Sequence, residues 1–196
     1  MNMTDTTRIT DYYLLDDLLS DEHKMIRASI RQAIRKDVRP FVEDAAQRHQ
    51  QIDGLMQTLG EIGALGACIP AEYGGGGLDQ VAYGVIMQEL EAVDSAVRSA
   101  ASVQSSLVMY PIFMYGSEEQ KRKFLPELAS GNLVGAFGLT EPNHGSDPRS
   151  METTLRKDGV GYRLNGAKMW ITNPPICDMA VVWAKDEESP VRGVLV

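Results

Sequence analysis

Apolar residues recur every four positions at Ile26, Ile30, Ile34 and Val38, drawing a slowly drifting stripe along one face of a helix. Ser20, followed by Asp21 and Glu22, gives that helix a hydroxyl cap and sets acids at the positive end of its dipole. Pro40, with Phe41 and Val42 behind it, predicts a bend rather than an end. A second helix fits 52–62, with Leu55, Met56, Leu59 and Ile62 inward. The pattern then breaks at Gly63, Gly66, Pro70 and the run Gly74–Gly77, which require turns and positive φ angles. Asp79 caps a third helix whose apolar positions are Val81, Val85, Ile86, Leu90 and Val93. A fourth helix, 95–109, stops before Pro111 and is rich in small residues such as Ala96, Ser99, Ala100, Ala101 and Ser102. Small side chains let another helix or a ligand come close. Ser117 and Gln120 form a capping box that opens a fifth helix, and Gly131 ends it.

Beyond Gly131 the period changes. A short apolar run, 133–139, is followed by weak alternation at 153–156. Residues 162–171 predict a hairpin, two strands joined by an Asn165-Gly166 turn. Residues 179–183 and 191–196 read as further strands. Helices first and strands after is an α+β order. It divides the chain into an all-α domain over 1–132 and the start of a β-domain over 133–196. Because Gly193–Val196 is a strand with no element to cap it, the 196 residues are expected to be a fragment of a longer chain.

Composition narrows the function. A 43% apolar content is normal for a packed core, and a net charge of −8 argues against nucleic acid, whose phosphates need a basic face. Cys68 and Cys177 have no metal or C-x-x-C spacing, and the three histidines are scattered, so reduced thiols, a cytoplasmic location and no metal are expected. Both cysteines read as small buried hydrophobes. No run of about 18 apolar residues could cross a membrane. Asp5, Asp11, Asp16 and Asp17 make the N-terminus unlike a secretory or organellar leader, and Leu14, Leu15, Leu18 and Leu19 form a short helical patch that docks on the body. Gly74–Gly77 lacks the Lys-Ser/Thr of a phosphate loop and reads as a connection. Lys121, Arg122 and Lys123 read as a solvated face or a docking surface.

Chemistry concentrates in three places. In 137–147, Pro142 fixes φ, Gly145 permits a left-handed turn, and Asn143 and Asp147 favour local turns. Such a loop either turns backbone N–H groups and the hydroxyls of Thr140 and Ser146 towards an anionic or carbonyl-rich ligand, or is an ordinary surface loop. Trp170, with Thr172 on the same side of a strand, either stacks on an aromatic ring or fills a core. Arg98 and Ser102 share one helix face, where a guanidinium fork suits a carboxylate; Glu91 could orient it, or Asp94 could simply bridge to it.

The segments FGLTEPNHGSD, KMWITN and YGSEEQKRKFLPELASG, in this order and spacing, resemble the acyl-CoA dehydrogenase family. The resemblance covers the chain from about Ile26 to Val196 and corresponds to the first half of a family member. It implies an N-terminal helical domain followed by the start of a middle antiparallel, β-barrel-like domain. It implies FAD held by Phe137, Gly138, Leu139, Thr140, Glu141, Pro142, Asn143, His144, Gly145 and Ser146, with Trp170, Ile171 and Thr172 flanking the ring. Thr140 would bond the isoalloxazine edge, and Ser146 would sit near the pyrophosphate and the CoA. The run from Arg98 to Met109 is similar to the glutaryl-CoA dehydrogenase branch, so Arg98, Ser99 and Ser102 would hold a distal substrate carboxylate. His144, Tyr110 and Val97 depart from that branch, where a small residue, a histidine and an aromatic are usual.

The implied reaction is α-proton abstraction with β-hydride transfer to flavin, followed for glutaryl-CoA by decarboxylation to crotonyl-CoA. Electrons would pass to an electron-transfer flavoprotein, and the assembly would be a homotetramer. The family's catalytic glutamate lies in a C-terminal helical domain. None of Glu61, Glu72, Glu89, Glu91 or Glu141 matches its motif, so no catalytic residue is assigned and the fragment alone is expected to be inactive. The rival readings are a dehydrogenase or oxidase for another acyl chain, and a non-catalytic flavin- or CoA-binding module.

Overall fold

The computed structural model describes residues 13–186 and 191–196. The acids Asp5 and Asp11 lie outside the described residues. Helix α1, Asp21–Asp37, starts at Ser20, whose hydroxyl accepts from the amide of His23; the His23 ring returns the bond to the amide of Ser20. The stripe is inward as expected, with Ile30, Ile34 and Val38 buried. Helix α2, Arg39–Arg48, follows at a break at Val38, since Pro40 sits in its first turn. Helix α3 is Leu55–Glu61, and α4, Gln80–Glu91, is capped by Asp79, which accepts from the amide of Ala82. Val81, expected inward, is 49% exposed in the first turn of α4. Arg31 and Glu89 clasp α1 to α4 with two 2.7 Å bonds, which is how the chain keeps Glu89 at 5% exposure.

The fourth helix departs from expectation. Helix α5, Ser95–Ser102, runs into a π-helical stretch, Val103–Met109, and on through α6, Tyr110–Tyr115. Pro111 therefore does not end it. The amide of Tyr110 already reaches five residues back to Ser105, so the ladder has been rewound before the proline, which takes an early α6 position where its missing N–H costs little. The leucine patch is also corrected. Leu15–Leu18 is a short 3₁₀ turn, but Leu14, Leu15 and Leu18 are exposed, and an Asp16–Arg27 ion pair holds it instead.

Helix α7, Glu118–Ala129, opens with the reciprocal Ser117–Gln120 box. It closes at Gly131, whose φ is +75°. A Cβ there would lie 2.1 Å from the carbonyl oxygen of Met56, so conformation and space both demand glycine. Gly131→Ala is expected to cost about 2–4 kcal/mol, read as a shift of the urea midpoint with an unchanged slope.

The β-part holds two sheets. Strands β1 (Gly135–Gly138), β4 (Met179–Ala184) and β5 (Arg192–Leu195) form one, in the order β1-β4-β5. β1 pairs in parallel with β4, which pairs antiparallel with β5. Strands β2 (Thr154–Asp158) and β3 (Gly161–Asn165) form a separate hairpin. Its turn is Gly159-Val160, so the expected Asn165-Gly166 hairpin is not formed. Gln104, fully buried in the π-helical stretch, joins helices to sheet. Its amide donates to the carbonyls of Leu128 (2.9 Å) and Leu133 (2.7 Å) and accepts from the amide of Gly135 (2.8 Å). Cys68 and Cys177 are both free and only half-buried, so neither is the core residue expected. Among the described residues, no helix is long and apolar enough to cross a membrane.

Candidate functional site

Strand β1 delivers the chain into the 139–153 loop, and the loop is organised around Glu141. This side chain, on a residue only 4% exposed, accepts from the amides of Glu152 (2.5 Å) and Thr153 (3.0 Å), from the Thr153 hydroxyl, and from Lys168 Nζ (2.8 Å). Burial alone would raise its pKa. The Glu152 amide, the Lys168 ammonium and both donors of Thr153 overcome that and hold the carboxyl down at about 2. The loop turns back on itself through paired amide–carbonyl bonds between Glu141 and His144. His144 is half-buried, 3.5 Å from Glu152, while Pro142, Asn143, Gly145 and Ser146 are exposed. Gly145 is not left-handed, which corrects the expectation made for it.

The second wall is the segment 168–173. It is not a strand. Trp170 has φ +60° and is 87% exposed, and Asn173 has φ +68°. Thr172 therefore does not share a strand face with Trp170. Two bonds nonetheless pin this segment beside the first wall. The amide of Met169 donates to the carbonyl of Thr140 at 2.9 Å, and the buried amide group of Asn173 donates to the carbonyl of Gly135 at 3.2 Å. Trp170, Ile171 and Thr172 are thus strung between tethers to the two ends of the 135–140 segment. Phe137, in that segment, meets Trp183 edge to face at 6.1 Å. Among the described residues, no hydrogen bond uses the amide or hydroxyl of Thr140.

A third cluster lies on α5. Arg98 Nε donates to Glu91 at 2.6 Å, and Ser95 Oγ holds the other oxygen of Glu91 at 2.5 Å. The two bonds lower the Glu91 pKa, that from Arg98 more than that from Ser95. Asp94 is not the partner of Arg98: its carboxylate caps α5, accepting from the amides of Ala96 and Val97. Arg98 Nη1 lies 3.5 Å from Ser102 Oγ, a loose contact, and Ser102 donates to the carbonyl of Ser99. Ser99 is half-buried. One turn on, Ser106 reaches back to the carbonyl of Ser102 and lines a cavity of about 220 Å³ with Cys68, Gln80, Tyr83, Ser105 and Tyr110. Lys168 stands at the head of the KMWITN segment, but nothing in that segment points to its pairing with Glu141, 27 positions earlier.

Lys121, Arg122 and Lys123 lie over the rings of Phe113, Tyr73 and Phe124. The charged groups themselves face the rings, at 5.5, 5.7 and 5.1 Å from the ring centres, an attraction between a cation and the negative face of an aromatic ring. No group of three or more His, Cys, Asp or Glu among the described residues could hold a metal ion.

Comparison with known proteins places this architecture. Residues 20–132 match the family model of the acyl-CoA dehydrogenase N-terminal domain, and residues 136–196 match that of the middle domain. A crystal structure of a glutaryl-CoA dehydrogenase from Mycobacterium smegmatis in complex with FADH2 superposes with a TM-score of 0.88 at 45% identity, over 92% of this chain and 46% of that one. The glutaryl-CoA dehydrogenase of Desulfococcus multivorans is 34% identical over 92% of this chain and 47% of its own length. The mitochondrial isovaleryl-CoA dehydrogenase of Bos taurus is 35% identical over 95% of this chain and 45% of its own. The chain spans less than half the length of each of these. The chain belongs to the acyl-CoA dehydrogenase family.

Proposed function

We propose that this chain supplies the flavin-binding walls and the acyl-selecting helix of an FAD-dependent acyl-CoA dehydrogenase acting on a dicarboxylyl-CoA, glutaryl-CoA above all. The observation that carries the flavin reading is the Met169–Thr140 bond, which sets an uncovered tryptophan face beside an unused amide and hydroxyl. A planar, hydrogen-bonding ring fits that combination: the indole stacks and Thr140 donates. FAD, when bound, would supply the hydride-accepting ring.

This chain's own residues bind and orient. Phe137 to Ser146 and Trp170 to Thr172 would line the cofactor, and Arg98, with Ser99 and Ser102, would take the distal carboxylate. Arg98 retains donors on Nη1 and Nη2 for such a group, since Glu91 engages only Nε. Fixing both ends of the substrate sets its α and β carbons against the ring, which is where orientation lowers the barrier. The proton acceptor is not among the carboxylates that Arg31, Arg98 and Lys168 already hold, namely Glu89, Glu91 and Glu141. A homotetramer, an electron-transfer flavoprotein as acceptor and a cytoplasmic location complete the proposal; the free thiols suit a reducing compartment.

The isovaleryl-CoA dehydrogenase of Bos taurus and the glutaryl-CoA dehydrogenase of Desulfococcus multivorans are matched at 35% and 34% identity, so identity to these two does not decide the substrate and Arg98 carries the choice of substrate class. The test of the reaction is the visible absorption of the holoenzyme containing this chain. Flavin bands that bleach on adding glutaryl-CoA are expected. Flavin that stays oxidised with every acyl-CoA would identify a binding module, and a colourless protein that takes up no FAD would remove the flavin reading.

A further inference from the structure

We propose that Lys168 is a positioning residue for the flavin, a cation that helps set the spacing and register of the two walls around it. The inference rests on the flavin reading above. Lys168 Nζ donates to the carbonyl of Leu139 at 3.0 Å and to the carboxylate of Glu141 at 2.8 Å, the residues on either side of Thr140. The next amide, that of Met169, takes the carbonyl of Thr140 itself at 2.9 Å. Two consecutive residues of one wall thus address three consecutive residues of the other. These bonds use the carbonyls of Leu139 and Thr140 and the carboxylate of Glu141, and among the described residues none uses the amide or hydroxyl of Thr140.

The approach of the walls is built for this lysine. Its side chain is 11% exposed, and its stem crosses Gly138 so closely that a Cβ there would lie 3.3 Å from Lys168 Cγ. Gly166 lets the incoming chain pass Thr153, where a Cβ would meet Oγ1 at 2.3 Å, and Thr153 in turn holds Glu141. Lys168 is therefore the point at which the Glu141-centred loop and the Trp170 segment share a partner. Glu141 keeps three donors without it, the amides of Glu152 and Thr153 and the Thr153 hydroxyl, so the loop has its own anchor. Beside the Met169–Thr140 bond, Lys168 supplies a charged link from Glu141 itself to the wall carrying Trp170.

The test uses Lys168→Met, Lys168→Gln and Thr140→Val in the holoenzyme, with FAD affinity by titration, the absorption and circular dichroism of the bound flavin, and thermal unfolding. Lys168→Met is expected to weaken FAD binding roughly 10- to 100-fold, the range for losing a charge-assisted hydrogen bond, and to alter the bound-flavin spectrum. Lys168→Gln keeps a donor without the charge and is the milder variant, so it reports even where Met does not fold; a smaller loss in the same direction is expected. Thr140→Val should cost less FAD affinity in the Lys168→Met background than alone, because the two act through one geometry. A lowered melting temperature with FAD affinity within twofold of the parent and an unchanged spectrum, or strictly additive losses, would show a purely structural lysine and overturn the proposal. A parent holoenzyme that binds no FAD would instead overturn the flavin reading itself.

Discussion

Arg98→Met should lower kcat/KM for glutaryl-CoA by roughly 10- to 1,000-fold, about 1.4–4 kcal/mol, while leaving butyryl-CoA turnover within a few-fold or improving it. Removing one partner of a fully buried charge pair costs more than this. The Arg98 side chain is 37% exposed and already shares its charge with Glu91, so water screens part of the loss. The asymmetry between substrates is the informative quantity. A neutral acyl chain brings no carboxylate, so it loses nothing when the guanidinium goes and gains apolar surface from methionine. Steady-state kinetics on both substrates decide the matter. Equal losses would make Arg98 a helix-bracing partner of Glu91, and the dicarboxylate assignment would fail while the flavin assignment stood.

Glu91→Gln separates the two roles of that pair. Glu91 orients the fork through Nε, and its own carboxylate is steadied by Ser95. If the carboxylate mainly aims Arg98, removing its charge disturbs the glutaryl substrate and spares the neutral one. Proximity of a competing anion has the opposite sense, and a substrate carboxylate would then bind better to the variant. The direction of change reports which of the two acts on the bound ligand.

What could be read from the chain beforehand was what short-range chemistry dictates. The stripe from Ile26 to Val38, the Asp79 cap, the Ser117–Gln120 box and the left-handed Gly131 each involve residues within about one turn, and all are present. The failures are cases where a distant contact outbid a local preference. Asn165-Gly166 is a strong hairpin signal, yet the hairpin forms one strand earlier, where Leu155 and Leu164 face each other across β2 and β3. Gly166 is needed for its lack of a side chain against Thr153 rather than for a turn. Pro111 should have stopped a helix, and the π-helical rewinding ahead of it could not be inferred from composition. Trp170, expected in a strand, lies outside one, because nothing local announces a left-handed tryptophan. The Glu141–Lys168 pair spans 27 positions, and no periodicity reports a contact of that range.

Glu141 should make the largest single contribution to acid sensitivity among the described carboxylates. Its ordinary pKa is 4.5, and the folded chain holds it at about 2. A carboxyl whose folded pKa is depressed stabilises the fold fully above the unfolded value, and that stability is lost as pH falls through the folded one. The window is therefore from about pH 5 down to about 2. The difference between the two values corresponds to about 3 kcal/mol, the net of burial, which opposes it, and of the Glu152 amide, the Lys168 ammonium and the two donors of Thr153, which together outweigh burial. Glu141→Gln retains the volume and discards the charge. It leaves Lys168 buried with the Leu139 carbonyl as its remaining oxygen partner, so the variant should be about 3 kcal/mol less stable at pH 6 by urea unfolding. The gap should then narrow as the pH is taken from 5 towards 2.5, because over that range the unfolded parent takes up a proton that the folded one still excludes, while the variant has no carboxyl there to titrate. A gap that stays constant across that range would mean that hydrogen-bond geometry at Glu152 and Thr153, and not the negative charge, secures the loop. It would also leave Lys168 without an electrostatic reason to be buried there.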